Sequence, residues 1–277
     1  MNIVNGKQIQ EDKIKEFTGK ISSINGSLKL VVIQVGNNES SNVYIKNKKS
    51  LCEKVGILFE HIKYESIDED TLISQIKRLN SDKTVTGILV QLPLPKSIDE
   101  KRVIDSIDPL KDVDGLTTAN VGKLFAGGKG IVPCTALGIL EIIKNLNVNL
   151  EGLDVVVVGR SRLVGLPLMG LLLKENATVT ICHSKTKNLK EKTRQADILI
   201  VAIGKKEYIT ADYVKDDSIV IDVGITEDND KLYGDCNFYE LKDKCSAITP
   251  VPGGVGPLTL AMLVHNVIEA YELQKKD

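Results

Sequence analysis

Asp154-Val-Val-Val-Val-Gly159-Arg-Ser-Arg-Leu-Val-Gly165 joins four consecutive β-branched residues to a glycine-bounded turn and an apolar run. A short β-branched run ended by Gly reads as a buried strand, and the residues from about Leu166 read as the helix that follows. This is the setting of a phosphate-binding strand–turn–helix. Glycines let the backbone approach a pyrophosphate, and the helix start offers N–H groups and positive dipole. The spacing is not GxGxxG, because Ser161 stands where a second glycine would be. Downstream the alternation continues with a strand at 177–182, a helix at 189–195, strands at 197–203 and 218–224, and a short strand near Ala247. On the bare pattern a plain βα connection stays open for this turn; the alternation is that of a parallel α/β sheet, Rossmann-like if the turn binds a dinucleotide.

Upstream, Lys29-Leu-Val-Val-Ile-Gln-Val-Gly36 repeats the strand signature, and a helix over 39–55 stops at Gly56. A strand at 57–64, a helix at 68–80 and a strand at 85–92 complete a βαβαβ pattern, which requires parallel strands and right-handed crossovers. Ser97-Ile-Asp-Glu100 has capping-box spacing before a short helix. Residues 108–133, rich in Gly and broken in pattern, read as a connecting loop. A linking helix over 134–146 and an apolar-faced C-terminal helix over 257–273 are expected. The fold class is α/β: two α/β domains facing a cleft.

The 277 residues are 42% hydrophobic and 26% charged, with a formal net charge of −1. That balance excludes a disordered chain and gives no electrostatic reason to expect a nucleic acid or anionic membrane partner. No charged region precedes an apolar one at the N-terminus, so no secretory signal is expected, and no apolar run approaches a membrane span. Five widely spaced cysteines and three histidines form no CxxC or HxxxH pair, so neither a disulfide framework nor a metal site is expected. The expected setting is a reduced cytoplasm, with small molecules and copies of the chain as partners.

At the end of the strand 177–182, an NAD-selective site carries an acid for the ribose 2′-hydroxyl. Here the chain reads Cys182-His-Ser-Lys185, and Arg160, Arg162 and Lys185 supply cations. A 2′-phosphate meets donors rather than repulsion, which favours NADP and leaves NAD as the alternative. In the other half, Tyr44 and Lys48 share a helix face four residues apart. Gln91 ends a strand of apolar residues, and Asp112 and Asp114 sit in a Gly-ended loop. Residues at the carboxyl ends of parallel strands can converge on a ligand. Pattern alone does not choose Lys48 over Lys46 and Lys49, and a solvated helix face remains the plainer reading of all three.

Six segments, in order, carry a resemblance that spans essentially the whole chain: 35–48, Gly87-Ile-Leu-Val-Gln-Leu-Pro-Leu-Pro95, Lys111-Asp-Val-Asp-Gly115, 159–167, 177–184 and Thr249-Pro-Val-Pro-Gly-Gly-Val-Gly-Pro257. With them the chain resembles the bifunctional methylenetetrahydrofolate dehydrogenase/methenyltetrahydrofolate cyclohydrolase family. The resemblance implies oxidation of 5,10-methylenetetrahydrofolate with NADP, then hydrolysis of the methenyl product to 10-formyltetrahydrofolate. It implies a folate-binding catalytic domain of residues 1–135 plus 254–277, an NADP-binding domain of 136–253, and a C-terminal helix returning to the first domain. Lys48 matches the family's catalytic lysine, Tyr44 the tyrosine that stacks on folate, Gln91 the glutamine that holds the lysine, and Asp114 the aspartate that grips the pterin. Pro252 and Gly253 lie in a loop similar to the one that closes over substrate. Gly159, Arg160, Ser161 and Ser184 match cofactor-phosphate positions, and Ile225 a backbone contact to the cofactor. A homodimer through the dinucleotide domains is also implied.

The chemistry fits these residue types. Hydride transfer needs reactants held close rather than a protein nucleophile, and the hydrolysis needs a proton shuttle. A lysine serves if burial or nearby cations lower its pKa, and Lys46 and Lys49 are candidates for that influence. The chain departs from the family at Ala136, where proline is common, at Leu258, where methionine is usual, and at Cys236, where valine is common. None of these is in the expected catalytic set. Two other readings stay open: a single-activity relative, and a non-catalytic dinucleotide sensor on the same fold. His265 lies in an apolar helix and is expected to be structural.

Overall fold

In the computed structural model, which describes residues 2–276, the chain opens with β1 (Asn2–Ile3) and α1 (Gly6–Ser22). The expected alternation follows as β2 (Lys29–Val35), α2 (Glu39–Val55), β3 (Leu58–Tyr64), α3 (Glu69–Ser81) and β4 (Gly87–Val90). These strands form a parallel sheet in the order β3-β2-β4. β2 and β4 are buried almost throughout, as the unbroken apolar runs of a sheet covered on both faces require. β3, on the edge, carries the exposed positions. Caps set the helix limits. Asn38 accepts from Ser41 N at 2.9 Å to start α2, and Gly56, at φ +84°, ends it in a left-handed turn. Leu72, Ile76 and Leu79 of α3 pack with Val31, Ile33 and Ile88 in one apolar core.

Two local expectations need correction here. The helix α4 (Glu100–Ile104) is capped by Asp99, which accepts from Arg102 N at 3.1 Å, rather than by Ser97. Both residues are good caps, and Asp99 places its carboxylate one residue before the first helical turn. The stretch expected as loop between Asp108 and Pro133 contains α5 (Thr118–Phe125), capped by Thr117. Gly122 and Asn120 within it hide its periodicity.

The rest of the chain adds α6 (Cys134–Asn145), β5 (Asp154–Val158), α7 (Gly165–Lys174), β6 (Thr178–Cys182), α8 (Leu189–Thr193), β7 (Ile198–Val201) and β8 (Ile219–Asp222). It ends with β9 (Thr226–Asp228), β10 (Lys231–Tyr233), α9 (Phe238–Leu241), β11 (Ala247–Ile248) and α10 (Val255–Gln274). β9 and β10 form a separate antiparallel hairpin. The remaining strands make a six-stranded parallel, Rossmann-like sheet in the order β1-β11-β8-β7-β5-β6. From β5 the chain steps to β6 on one side, then back to β7 on the other. The carboxyl ends of β5 and β7 therefore flank a topological switch point, where ligands of open α/β sheets bind.

The chain divides into two units. One holds the residues up to Asp12 and Thr135–Thr259, and the other holds Lys13–Cys134 and the residues from Leu260 onward. The start of the chain thus goes with the Rossmann-like sheet instead of with residues 13–134. The reason is pairing: β1 lies parallel to β11, with Asn2 opposite Ala247 and Ile3 opposite Ile248. α10 crosses the boundary, and its residues from Leu260 onward cluster with the three-stranded sheet.

Candidate active site and dinucleotide cradle

In the unit of the three-stranded sheet, α2 carries Tyr44 and Lys48 on successive turns. Tyr44 is 44% exposed, a large ring left open on the helix surface. Lys48 Nζ donates to Gln91 Oε1 at 3.0 Å. Gln91 is fixed by its own bonds: its backbone N donates to Ile33 O at 2.8 Å, and its Nε2 to Leu92 O at 2.8 Å. With the amide nitrogen committed to Leu92, the oxygen is the atom that faces the lysine. Of the three lysines the sequence left open, Lys49 pairs with Glu53 at 3.8 Å and Lys46 is exposed, so Lys48 is the one joined to Gln91.

The Lys111–Gly115 segment is held against β4. Ile88 N donates to Lys111 O at 2.7 Å, and Gly87 lacks the Cβ that would run into Val113. Its two aspartates have separate tasks. Asp112 is buried and accepts from Thr117 N at 2.8 Å and Asn120 Nδ2 at 3.0 Å, so it shapes the turn. Lys111 is buried too, donating to Leu79 O and Asp82 O, and burial holds its pKa below the ordinary lysine value. Asp114 has the Cys134 thiol 3.9 Å from its Oδ1. Burial raises the Asp114 carboxyl above its ordinary range, while the Lys48 charge pulls it back and Asp112 pushes it further up. Lys48, Gln91 and Asp114 therefore share one electrostatic neighbourhood.

Two residues of this locality carry no local sequence signal. Asn266 of α10 donates to Val113 O at 2.8 Å, Val132 O at 2.9 Å and Cys134 Sγ at 3.3 Å. Asn266 and Cys134 together tie the segment bearing Asp114 to the start of α6. His265, its neighbour, sets its ring 5.7 Å from that of Phe17 at a tilt of 59°, a packing role that agrees with its apolar helix. An open hollow of about 430 Å³, lined by Asn37, Lys63 and Glu65, lies at the carboxyl ends of β2 and β3.

Pro252 and Gly253 belong to the other unit, in the turn between β11 and α10, with Gly253 at φ +105°. That unit also holds the expected cofactor residues. Gly159 follows β5 at φ +133°, where a Cβ would collide with the Ala202 carbonyl after β7. Gly165, at the start of α7, sits so close to the Gly159 carbonyl that a side chain has no room. Ser161 Oγ accepts from Val164 N at 3.1 Å and shapes the intervening turn. α7 begins without a side-chain cap, which leaves its dipole for an anion. Arg160, Ser161 and Ser184 are exposed, and Lys185 N donates to His183 Nδ1 in the turn after β6. The turn therefore keeps its backbone free of side chains at Gly159 and Gly165, and the end of β6 carries no acid. Ile225 follows Gly224 after β8 and is 46% exposed. Among the described residues, no group of three His, Cys, Asp or Glu could hold a metal, and no helix is long and apolar enough to cross a membrane.

Comparison with known proteins agrees with both halves. Residues 4–114 match the family model described as the tetrahydrofolate dehydrogenase/cyclohydrolase catalytic domain, and residues 133–275 match that of its NAD(P)-binding domain. A protein of Agathobacter rectalis named bifunctional protein FolD is 50% identical over 276 residues, covering 97% of this chain and 98% of that protein. The crystal structure of the bifunctional FolD methylenetetrahydrofolate dehydrogenase/cyclohydrolase of Campylobacter jejuni superposes with a TM-score of 0.95 at 43% identity, over 99% of each chain. The Trypanosoma brucei methylenetetrahydrofolate dehydrogenase-cyclohydrolase, solved with NADP and an inhibitor, gives 0.93 at 32% identity, over 99% of this chain and 98% of that one.

Proposed function

The chain belongs to the tetrahydrofolate dehydrogenase/cyclohydrolase family, and on that premise we propose that it oxidises 5,10-methylenetetrahydrofolate with NADP and hydrolyses the 5,10-methenyl product to 10-formyltetrahydrofolate. The observation that carries the reading is the Lys48 Nζ–Gln91 Oε1 bond of 3.0 Å, in the electrostatic reach of Asp114. A neutral amide aims the amine without adding a negative charge that would hold its proton. Lys48 then takes a proton from the water that adds to the methenyl carbon and returns it to the ring nitrogen as that C–N bond opens, while the hydroxyl proton of the adduct leaves to solvent and the formyl C=O forms. Asp114 accepts hydrogen bonds from the pterin, Tyr44 stacks on the folate, and Pro252 and Gly253 contact substrate from their turn. Bound NADP supplies the hydride acceptor. Gly159, Arg160, Ser161 and Ser184 would hold its phosphates, and the Ile225 backbone would contact the cofactor.

The two activities in one chain are favoured over either alone, since the lysine–glutamine pair and the glycine cradle are both intact. A non-catalytic sensor has no use for the pair. We place the protein in the cytoplasm as a homodimer; the five cysteines, all without a disulfide, support the reducing compartment.

The test gives purified protein 5,10-methylenetetrahydrofolate with NADP or with NAD, following reduced nicotinamide and the methenyl chromophore together. Reduced cofactor with 10-formyl product and no methenyl build-up is expected, faster with NADP. Lys48→Met is expected to keep the fold and lose hydrolysis. Wild-type hydrolysis in that variant sinks the assignment of Lys48.

A further inference from the structure

Two carboxylates lie fully inside the Rossmann-like unit, beneath the carboxyl ends of β7 and β8. Asp235 has no exposed surface and Asp222 is 3% exposed. Asp235 Oδ2 accepts from Ile203 N at 2.6 Å and Gly204 N at 3.1 Å, and its Oδ1 accepts from Lys205 N at 2.6 Å. Three successive amides of the loop after β7 thus converge on one side chain. Asp222 holds Asp235 in turn: its Oδ1 accepts from Asp235 N at 2.9 Å and Gly224 N at 3.1 Å, and its Oδ2 from Cys236 N at 2.8 Å. The fit is close on both sides. A Cβ on Gly224 would enter the Asp235 carboxylate, and one on Gly234 would enter that of Asp222.

The loop held this way is at the switch point of the sheet. Ala202, which immediately precedes it, presents its carbonyl to Gly159 of the expected phosphate turn, closely enough to exclude any side chain there. Gly224, tethered by Asp222, immediately precedes Ile225. Buried carboxylates are costly unless fully hydrogen-bonded, and these six backbone donors meet that requirement between the two loops that border the cradle. A closed turn for stability alone needs no charge. An anion holding three N–H groups fixes the direction of the loop more firmly than a neutral acceptor.

We propose that Asp235 is a positioning residue for dinucleotide binding: its carboxylate sets the Ile203–Lys205 loop beside the Gly159 turn, and Asp222 sets Asp235. The inference rests on the NADP-binding reading above. It separates from a purely structural role because the proton transfer of methenyltetrahydrofolate hydrolysis is assigned to Lys48, held by Gln91, in the other unit, and hydrolysis consumes no cofactor.

The experiment compares wild type with Asp235→Asn for NADP affinity by equilibrium titration, for KM of NADP and of the folate substrate, and for hydrolysis of supplied methenyltetrahydrofolate. Asn keeps one acceptor and turns an NH2 toward a backbone donor. The expected result is a Kd and KM for NADP raised about tenfold or more, the scale of a charged hydrogen bond lost, with the folate KM and the hydrolysis near wild type. NADP affinity within about twofold of wild type in the folded variant overturns the proposal, as does a loss of all activities in parallel with the folded fraction. Where Asp235→Asn does not fold, Gly204→Val carries the test. Gly204 has φ +63° and open space around a would-be Cβ, so valine displaces the loop at one of the amides that Asp235 holds and leaves the Asp235 side chain itself unchanged. The same rise in NADP Kd is expected, and an unmoved Kd overturns the proposal. A wild type that binds neither NADP nor NAD overturns the functional reading and this inference with it. Cofactor binding that ignores both substitutions overturns the inference alone.

Discussion

Asn266 and Val113 are 153 residues apart in sequence, and the Asn266 amide donates to the Val113 carbonyl at 2.8 Å. The residue after Val113 is Asp114, so a helix from the far end of the chain fixes the backbone that presents the candidate pterin ligand. The same amide reaches Val132 O and Cys134 Sγ, and the Cys134 thiol in turn donates to Val113 O at 3.6 Å. Asn266→Ala strands buried carbonyls at about 1–3 kcal/mol for an unsatisfied group. Thermal unfolding should show the loss, and hydrolysis by the remaining folded protein should fall because Asp114 is less well held. A variant with wild-type Tm and activity removes Asn266 from the account.

Gln91→Glu puts a carboxylate where the Gln91 oxygen meets Lys48 at 3.0 Å. An opposite charge at that distance stabilises the ammonium form, so the amine sheds its proton at higher pH. The pH–rate profile of hydrolysis should move to the alkaline side, with a lowered rate near neutrality. Gln91→Leu, lacking both acceptor and charge, should lower the rate without that displacement. An unmoved profile in the Glu variant argues against Lys48 as proton shuttle.

The proposed preference for NADP rests on the absence of an acid at the end of β6. Ser184→Asp introduces one in an exposed position, where it repels a 2′-phosphate and accepts from a 2′-hydroxyl. The ratio of kcat/KM for NADP over NAD should drop by about tenfold or more, the size of one charged contact exchanged for a repulsion. A ratio that stays put would move the 2′-phosphate contact elsewhere in the turn.

Burial pushes the Asp222 carboxyl up to about 7, against the pull of its backbone donors, and the charge of Asp235 adds to the rise. An unfolded aspartate titrates near ~3.9. Between these values the folded chain holds a proton that the unfolded chain has released, so stability contributed at this site declines as pH rises from about 4 to about 7 and then levels. Asp222→Asn cannot titrate. The difference in unfolding free energy between wild type and variant should change across that window, and a difference flat with pH contradicts the raised value.

All five cysteines are buried and unpaired. Burial pushes Cys52 up to about 12 and Cys245 to about 11, and raises Cys134, Cys182 and Cys236 above their ordinary values. Thiolate is the reactive form. The native protein at pH 8 should react slowly with an aromatic disulfide reagent, and all five thiols should titrate once it is unfolded. Rapid reaction of one thiol in the native state would identify an opening the structure does not display.

What could be read from the sequence follows how local each signal is. β2 and β5 announce themselves because a strand buried on both faces is apolar at every position, and α2 because a glycine closes it. α5 escaped because Asn120 and Gly122 interrupt its pattern, and Asn120 turns out to be spent on the Asp112 carboxylate. The hairpin β9–β10 escaped because its turn uses Asn229 and Asp230 at positive φ, without the glycine that marks such turns. β1 is two residues long and exists through its partner β11 alone. At the site, Tyr44, Lys48, Gln91 and Asp114 were chosen by resemblance, whereas Asn266, Cys134 and Asp235 act through contacts made across long stretches of chain. No window of sequence contains both partners of such a contact.

Neither unit is a continuous piece of chain. The Rossmann-like sheet needs β1 and β11, and the three-stranded unit needs the residues from Leu260 onward. A chain emerging from the ribosome therefore cannot finish one domain before starting the other. β1 waits for a partner made more than two hundred residues later, and the core over α10 closes last. Each unit draws on residues from both sides of the other's main segment, so no continuous half of this chain contains a whole unit.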